Sequence, residues 1–113
     1  MSQTRTWTVL MVALVALAPA AWATCTNGTS GNDNITGTGG DDCILTFGGD
    51  DVVHAQGGAD TIEGGTDDDD LYGDAGADYI DTGLGSGGVD RGYGGTENDT
   101  ILTHDASSFS VPP

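Results

Sequence analysis

Asp33, Asp42, Asp51, Asp60, Asp69 and Asp78 stand nine residues apart, and after three extra residues the spacing resumes at Asp90 and Asp99. A period held over this length means that one short local structure is repeated along the chain. With this aspartate called position six, position eight holds Ile35, Ile44, Val53, Ile62, Leu71, Ile80, Gly92 and Ile101. Only Gly92 breaks the aliphatic column. Position four holds Gly31, Gly40, Gly49, Gly58, Asp67, Gly76, Gly88 and Glu97, and position one is glycine at Gly28, Gly37, Gly64, Gly73, Gly85 and Gly94. The three additional residues are placed at Thr82, Gly83 and Leu84.

Each unit reads as a glycine-rich turn, an aspartate, and a strand over positions seven to nine. Side chains alternate along a strand. Position eight therefore faces inward, and positions seven and nine face out. Asn34, Thr36, His54, Thr61, Glu63, Asp70, Asp81, Arg91 and Thr100 fit the outward columns, while Leu45, Val52 and Leu102 do not. One unit cannot bury its single apolar residue alone. Two units per coil, with coils stacked on one another, give two facing ladders of Ile, Val and Leu.

The charge balance narrows the partners. The 113 residues carry 18 acidic side chains and 2 basic ones, Arg5 and Arg91, for a formal net charge of −16. No basic patch exists to neutralise phosphates, which excludes nucleic acid as a partner and disfavours anionic membranes. The 20 glycines disfavour a helical bundle, since each costs about 1 kcal/mol inside a helix.

The pattern resembles the G-G-x-G-x-D-x-U-x nonapeptide of RTX proteins, the hemolysin-type calcium-binding family. Gly73, Gly76, Asp78 and Ile80 match it most fully, and Gly28, Gly31, Asp33 and Ile35 keep the same places. The resemblance spans Gly28 to about Leu102. It implies an all-β fold: a parallel β-roll, or β-solenoid, of about four coils with two nonapeptide units per coil. It also implies calcium in the turns between coils. Calcium takes 6 to 8 oxygen ligands at roughly 2.3–2.6 Å. Stacking coils about 4.7–4.9 Å apart brings equivalent aspartates together, and a divalent cation turns their repulsion into attraction. The paired sites expected are Asp33 with Asp51, Asp51 with Asp69, Asp42 with Asp60, and Asp60 with Asp78. By the resemblance, carbonyls at Gly31, Gly49, Gly58 and Gly76 complete the shells. Asp90 and Asp99 lie on the ruler, but the insertion is expected to bulge or break the ladder before them, leaving weaker or absent metal. With a core of one apolar residue per unit, the chain is expected to fold on binding calcium.

Cys25 and Cys43 are separated by 18 residues, one full coil. If a coil begins at Cys25, their Cα atoms fall within the roughly 4.4–6.8 Å that a disulfide allows. Residues 1–23 read as a secretory signal: Arg5, an apolar run from Trp7 to Ala18, Pro19, then Ala21-Trp22-Ala23 before the cleavage point. The run is shorter than the ~20 residues a spanning helix needs, so no membrane contact is expected of the mature form. The chain thus divides into a signal (1–23), an N-terminal cap (24–27), the roll (28–102) and a tail (103–113), with a secreted or periplasmic destination.

An enzyme is not expected. His54 and His104 are isolated, on an outward strand position and in the tail, and no nucleophile elbow exists. The rival reading is an adhesive module for polysaccharide, matrix or cell surfaces in which calcium is purely structural. Tyr72 and Tyr93 are its candidate sugar-stacking residues; their other reading is packing against neighbouring coils. No column keeps the regular Thr that an ice-binding face would want. The tail either caps the open coil near Ile101 and Phe109 or leaves it free to dimerise.

Overall fold

Every strand is three residues long or shorter because the repeat allots three positions to it before the next glycine turn. A computed structural model of the chain describes residues 25–84, 89–104 and 109–111, the last of these as backbone alone. The predicted signal, residues 1–23, lies outside the described residues. The strands in order are β1 (Thr26–Asn27), β2 (Asn34–Thr36), β3 (Cys43–Leu45), β4 (Val52–His54), β5 (Thr61–Glu63), β6 (Asp70–Tyr72), β7 (Tyr79–Asp81), β8 (Arg91–Tyr93), β9 (Thr100–Leu102) and β10 (Phe109–Val111). Odd strands form one parallel sheet, β1-β3-β5-β7-β9, and even strands the other, β10-β8-β6-β4-β2. The register pairs like with like: Ile44 with Ile62, Ile62 with Ile80, Val53 with Leu71. The architecture is a parallel β-solenoid, as the resemblance implied.

The core is the position-eight column. Ile44, Val53, Ile62, Leu71 and Ile80 are fully buried, joined by Ala55, with Ile35 and Ile101 partly buried at the ends. Gly92 leaves no hole there. A Cβ built on it would lie 2.8 Å from Ile101 Cγ2 and 3.5 Å from both Ile80 Cγ2 and Thr82 Cγ2, so side chains of neighbouring units already occupy that space.

Three boundaries differ from the sequence reading. Thr82 and Gly83 are not inserted residues. Thr82 N–H donates to the Leu102 carbonyl as Gly64 N–H does to Asp81, and Gly83 has the positive φ that Gly65 shows at the same place. The backbone hydrogen bonds decide this, and they put the extra residues between Gly83 and Val89. The expected cap contains a real strand, because Thr26 pairs with Ile44 and Asn27 with Leu45. The tail contains another: β10 pairs with β8, with Phe109 opposite Arg91, and so extends the even sheet past Leu102.

Turn stacking sets the glycine requirement. Gly58 has φ +113°, and a Cβ on it would lie 2.5 Å from the Gly40 carbonyl carbon and 2.6 Å from Asp41 N. Gly39 has nothing within 4 Å of such a Cβ. Gly58→Ala should therefore destabilise by roughly 2–4 kcal/mol, through left-handed strain and a collision with backbone that cannot step aside. Gly39→Ala should stay within about 0.5 kcal/mol. Denaturant midpoints of the two variants, measured side by side in calcium, check the contrast.

Candidate metal sites in the stacked turns

Each ruler aspartate ends a turn just before a strand, so the strand ladder carries its carboxylate to the same height in every coil. Asp51, Asp60, Asp69, Asp78 and Asp90 are buried, none more than 3% exposed. Their carboxylates do not simply face one another as expected. Oδ1 of each accepts the backbone N–H of the ruler aspartate one coil earlier: Asp33 N to Asp51 at 2.7 Å, Asp42 N to Asp60 at 2.7 Å, Asp51 N to Asp69 at 3.0 Å, and Asp60 N to Asp78 at 2.9 Å. The ladder continues through the two aspartates after the insertion, with Asp69 N to Asp90 at 3.2 Å and Asp78 N to Asp99 at 3.0 Å. Of the bulge or break expected before Asp90, a break is absent: β8 pairs with β6 in register, Asp70 opposite Arg91.

The second oxygen has a different fate. Oδ2 of Asp51, Asp60, Asp69, Asp78 and Asp99 is buried without a hydrogen-bond donor. It points back into its own turn: a Cβ on Gly64 would lie 2.7 Å from Asp69 Oδ2. Position one is glycine there because the carboxylate fills the space. A buried carboxylate oxygen without a donor is costly, and a bound cation removes the cost. Among the described residues no three acidic, His or Cys side chains converge as a side-chain cage would. A cation here needs backbone carbonyls as well, which suits calcium and not zinc.

Asp33 and Asp42, each expected to share a site with the next coil, are satisfied within their own turns. Thr29 N–H and Oγ donate to Asp33 Oδ2 at 2.5 and 3.0 Å, and Thr38 N–H and Oγ to Asp42 Oδ2 at 2.6 and 3.0 Å. Of the position-four glycines, Gly31 donates its N–H to the Thr29 hydroxyl oxygen at 3.2 Å. Gly49 and Gly58 pack on the Gly31 and Gly40 backbones one coil earlier, and Gly76 packs on Gly58.

Burial raises the carboxyl pKa values in the middle of the ladder. Asp69 is pushed up to about 7 and Asp60 to about 6, chiefly by desolvation. In both, the backbone N–H bond pulls the other way, and neighbouring carboxylates add to the rise. Asp51 and Asp78 also move up, chiefly by desolvation, with a Thr46 side-chain hydrogen bond opposing the rise at Asp51. A carboxyl whose folded pKa lies above its unfolded value of 3.8 binds more protons folded than unfolded between the two. Stability of the calcium-free fold should therefore rise as pH falls from about 7 towards 4, the reverse of ordinary acid denaturation. Far-UV circular dichroism in chelator across that range tests the sign: the β-signal should grow as pH falls.

The sequence reading missed a second ladder at position five. Side-chain Oδ1 of Asn32, Asp41, Asp50 and Asp68 accepts the backbone N–H of Asp50, Ala59, Asp68 and Val89, at 2.9–3.3 Å. These bonds run opposite to those at position six, so consecutive coils are tied in both senses. The signal was present as Asn or Asp recurring at position five.

On the outer face of the even sheet, His54, Tyr72 and Tyr93 form a stack with ring centroids 4.4 and 4.6 Å apart. The coil spacing matches aromatic stacking distance, and Tyr72 is sandwiched between the other two rings. Its faces are not free for a sugar, so the packing reading of Tyr72 holds. His54 also contacts Asp74 at 3.3 Å, Arg91 pairs with Asp70 at 3.1 Å, and His104 with Asp81 at 2.9 Å. Cys25, just before β1, and Cys43, the first residue of β3, have Cα atoms 4.5 Å apart and sulfurs at bonding distance.

Comparison with known proteins returns one family. A model of the RTX calcium-binding nonapeptide repeat, which comprises four copies, matches residues 27–62, 54–89 and 84–105. No curated protein and no solved structure matches the chain.

Proposed function

Because the chain belongs to the RTX calcium-binding nonapeptide repeat family, we propose that it is an exported calcium-binding protein whose turns hold several ions between stacked coils and which folds on binding them. The observation that supports this most directly is the row of buried, donorless Oδ2 atoms on Asp51, Asp60, Asp69, Asp78 and Asp99. Those carboxylates would hold the ions, and glycine-turn carbonyls would supply the remaining oxygens. Bound calcium neutralises the carboxylates and ties each turn to the coil beside it. The segment 1–23 would direct export, and an oxidising destination would form the Cys25–Cys43 disulfide. No catalytic role is part of this reading.

Calorimetric titration of the protein with calcium, with magnesium as control, tests it. Saturable calcium binding at several sites, with magnesium silent, is the expected result. Smaller magnesium demands near-octahedral geometry and keeps its waters, whereas the turns offer carboxylate and carbonyl oxygens on a flexible backbone. Absence of calcium binding at millimolar concentration would sink the proposal.

A further inference from the structure

The ruler aspartates fall into two groups by what their second oxygen touches. In the first coil, Oδ2 of Asp33 and of Asp42 each takes an N–H and a hydroxyl from a threonine at position two. The same hydroxyl lies 3.3 Å from the Gly31 carbonyl oxygen in one turn and 3.4 Å from that of Gly40 in the other. It therefore sits where a carboxylate oxygen and a position-four carbonyl oxygen converge. That is the mixed oxygen pair a calcium ion selects.

In later turns position two is Phe47, Gln56, Gly65, Asp74, Gly83 or Gly95, every one at positive φ. None carries a hydroxyl. In those turns Oδ2 of Asp51, Asp60, Asp69, Asp78 and Asp99 is buried with no donor. One chain thus contains both versions of the turn, one satisfied by its own hydrogen atoms and one left with an unpaired buried oxygen.

We infer that Thr29 and Thr38 take the place of calcium in the first coil, so that the Asp33 and Asp42 turns are metal-free caps and calcium loading begins at Asp51 and Asp60. This rests on the calcium-binding function proposed above. An ion entering the Asp33 turn would have to displace two hydrogen bonds from one carboxylate oxygen, whereas at Asp60 the second oxygen has no donor to displace. The capped coil is also the one clamped by Cys25 and Cys43. It forms a metal-independent floor on which the calcium-dependent coils stack.

Counting bound calcium in the whole protein tests the inference. The double variant Asp33→Asn, Asp42→Asn should bind as many ions as the unsubstituted protein, while Asp60→Asn, Asp69→Asn should bind fewer. Loss of ions from the first variant would overturn the inference and leave the calcium reading standing. If the unsubstituted protein binds no calcium, both fall together. Should the first variant fail to fold, amide exchange in the calcium-saturated, unsubstituted protein decides. Thr29 and Thr38 N–H should be protected by their aspartates, and free exchange at both would refute the cap.

Discussion

Chelation of calcium from the protein should remove most of its far-UV β-signal, and millimolar calcium, but not magnesium, should restore it cooperatively. The reason lies in what each coil can bury. Each nine-residue unit contributes one aliphatic side chain, and the fully buried set is Ile44, Val53, Ile62, Leu71 and Ile80 with the small Ala55. The same stacking that buries them also buries the ruler carboxylates. Five of these have an oxygen without a donor. An unsatisfied buried polar group costs about 1–3 kcal/mol, and more when charged. Five together rival the whole stability of a small domain, about 5–15 kcal/mol. Calcium reverses the sign of this contribution at every turn it occupies. A protein that keeps its circular dichroism spectrum unchanged in chelator at pH 7.5 would show that the disulfide, the two backbone-to-side-chain ladders and the His54–Tyr72–Tyr93 stack suffice without metal.

Asp60→Asn should have two opposite effects, which makes it more informative than Asp60→Ala. Asparagine keeps an Oδ1 for the Asp42 N–H, 2.7 Å away in the native turn. It replaces the donorless Oδ2 with an amide that carries no charge. Burial already pushes the Asp60 pKa up to about 6, which means that ionised Asp60 destabilises the calcium-free fold at neutral pH. The variant should therefore be slightly more stable than the native protein in chelator. In calcium it should be less stable, with affinity at the altered turn reduced at least ~10-fold, since a carboxylate ligand is gone. The residual far-UV β-signal of both proteins in chelator, and their melting curves in calcium, read the two effects. Equal destabilisation under both conditions would mean that Asp60 serves the hydrogen-bond ladder alone.

Legibility in the sequence followed the strength of each column. The aspartate and aliphatic columns were visible because stacking favours one residue class in each: position eight is enclosed in the middle coils, and position six accepts an N–H from the coil before. The Cys25–Cys43 pairing followed from the same period. The end strands were not visible as such. β10 carries Ser110 at position eight, and β1 carries Thr26 there. A terminal coil is covered on one side only, so an aliphatic residue gains less there and the pattern fades. The insertion was misplaced for a related reason. Thr82 breaks the glycine column yet is buried at position one, as Thr46 is, where only its backbone bonds reveal the register.

The repeat by itself therefore determined the inward column and the choice of carboxylates, and its resemblance to the nonapeptide family supplied the fold class and the two units per coil. The tertiary structure alone decided how each carboxylate is used. Whether Oδ2 meets Thr29, Thr38 or no donor at all depends on the φ angle of position two and on the backbone of the coil beside it. The threonine bonds span only four residues, but whether they form is set by the turn conformation, and the Oδ1 ladder joins residues a full coil apart; a linear period expresses neither.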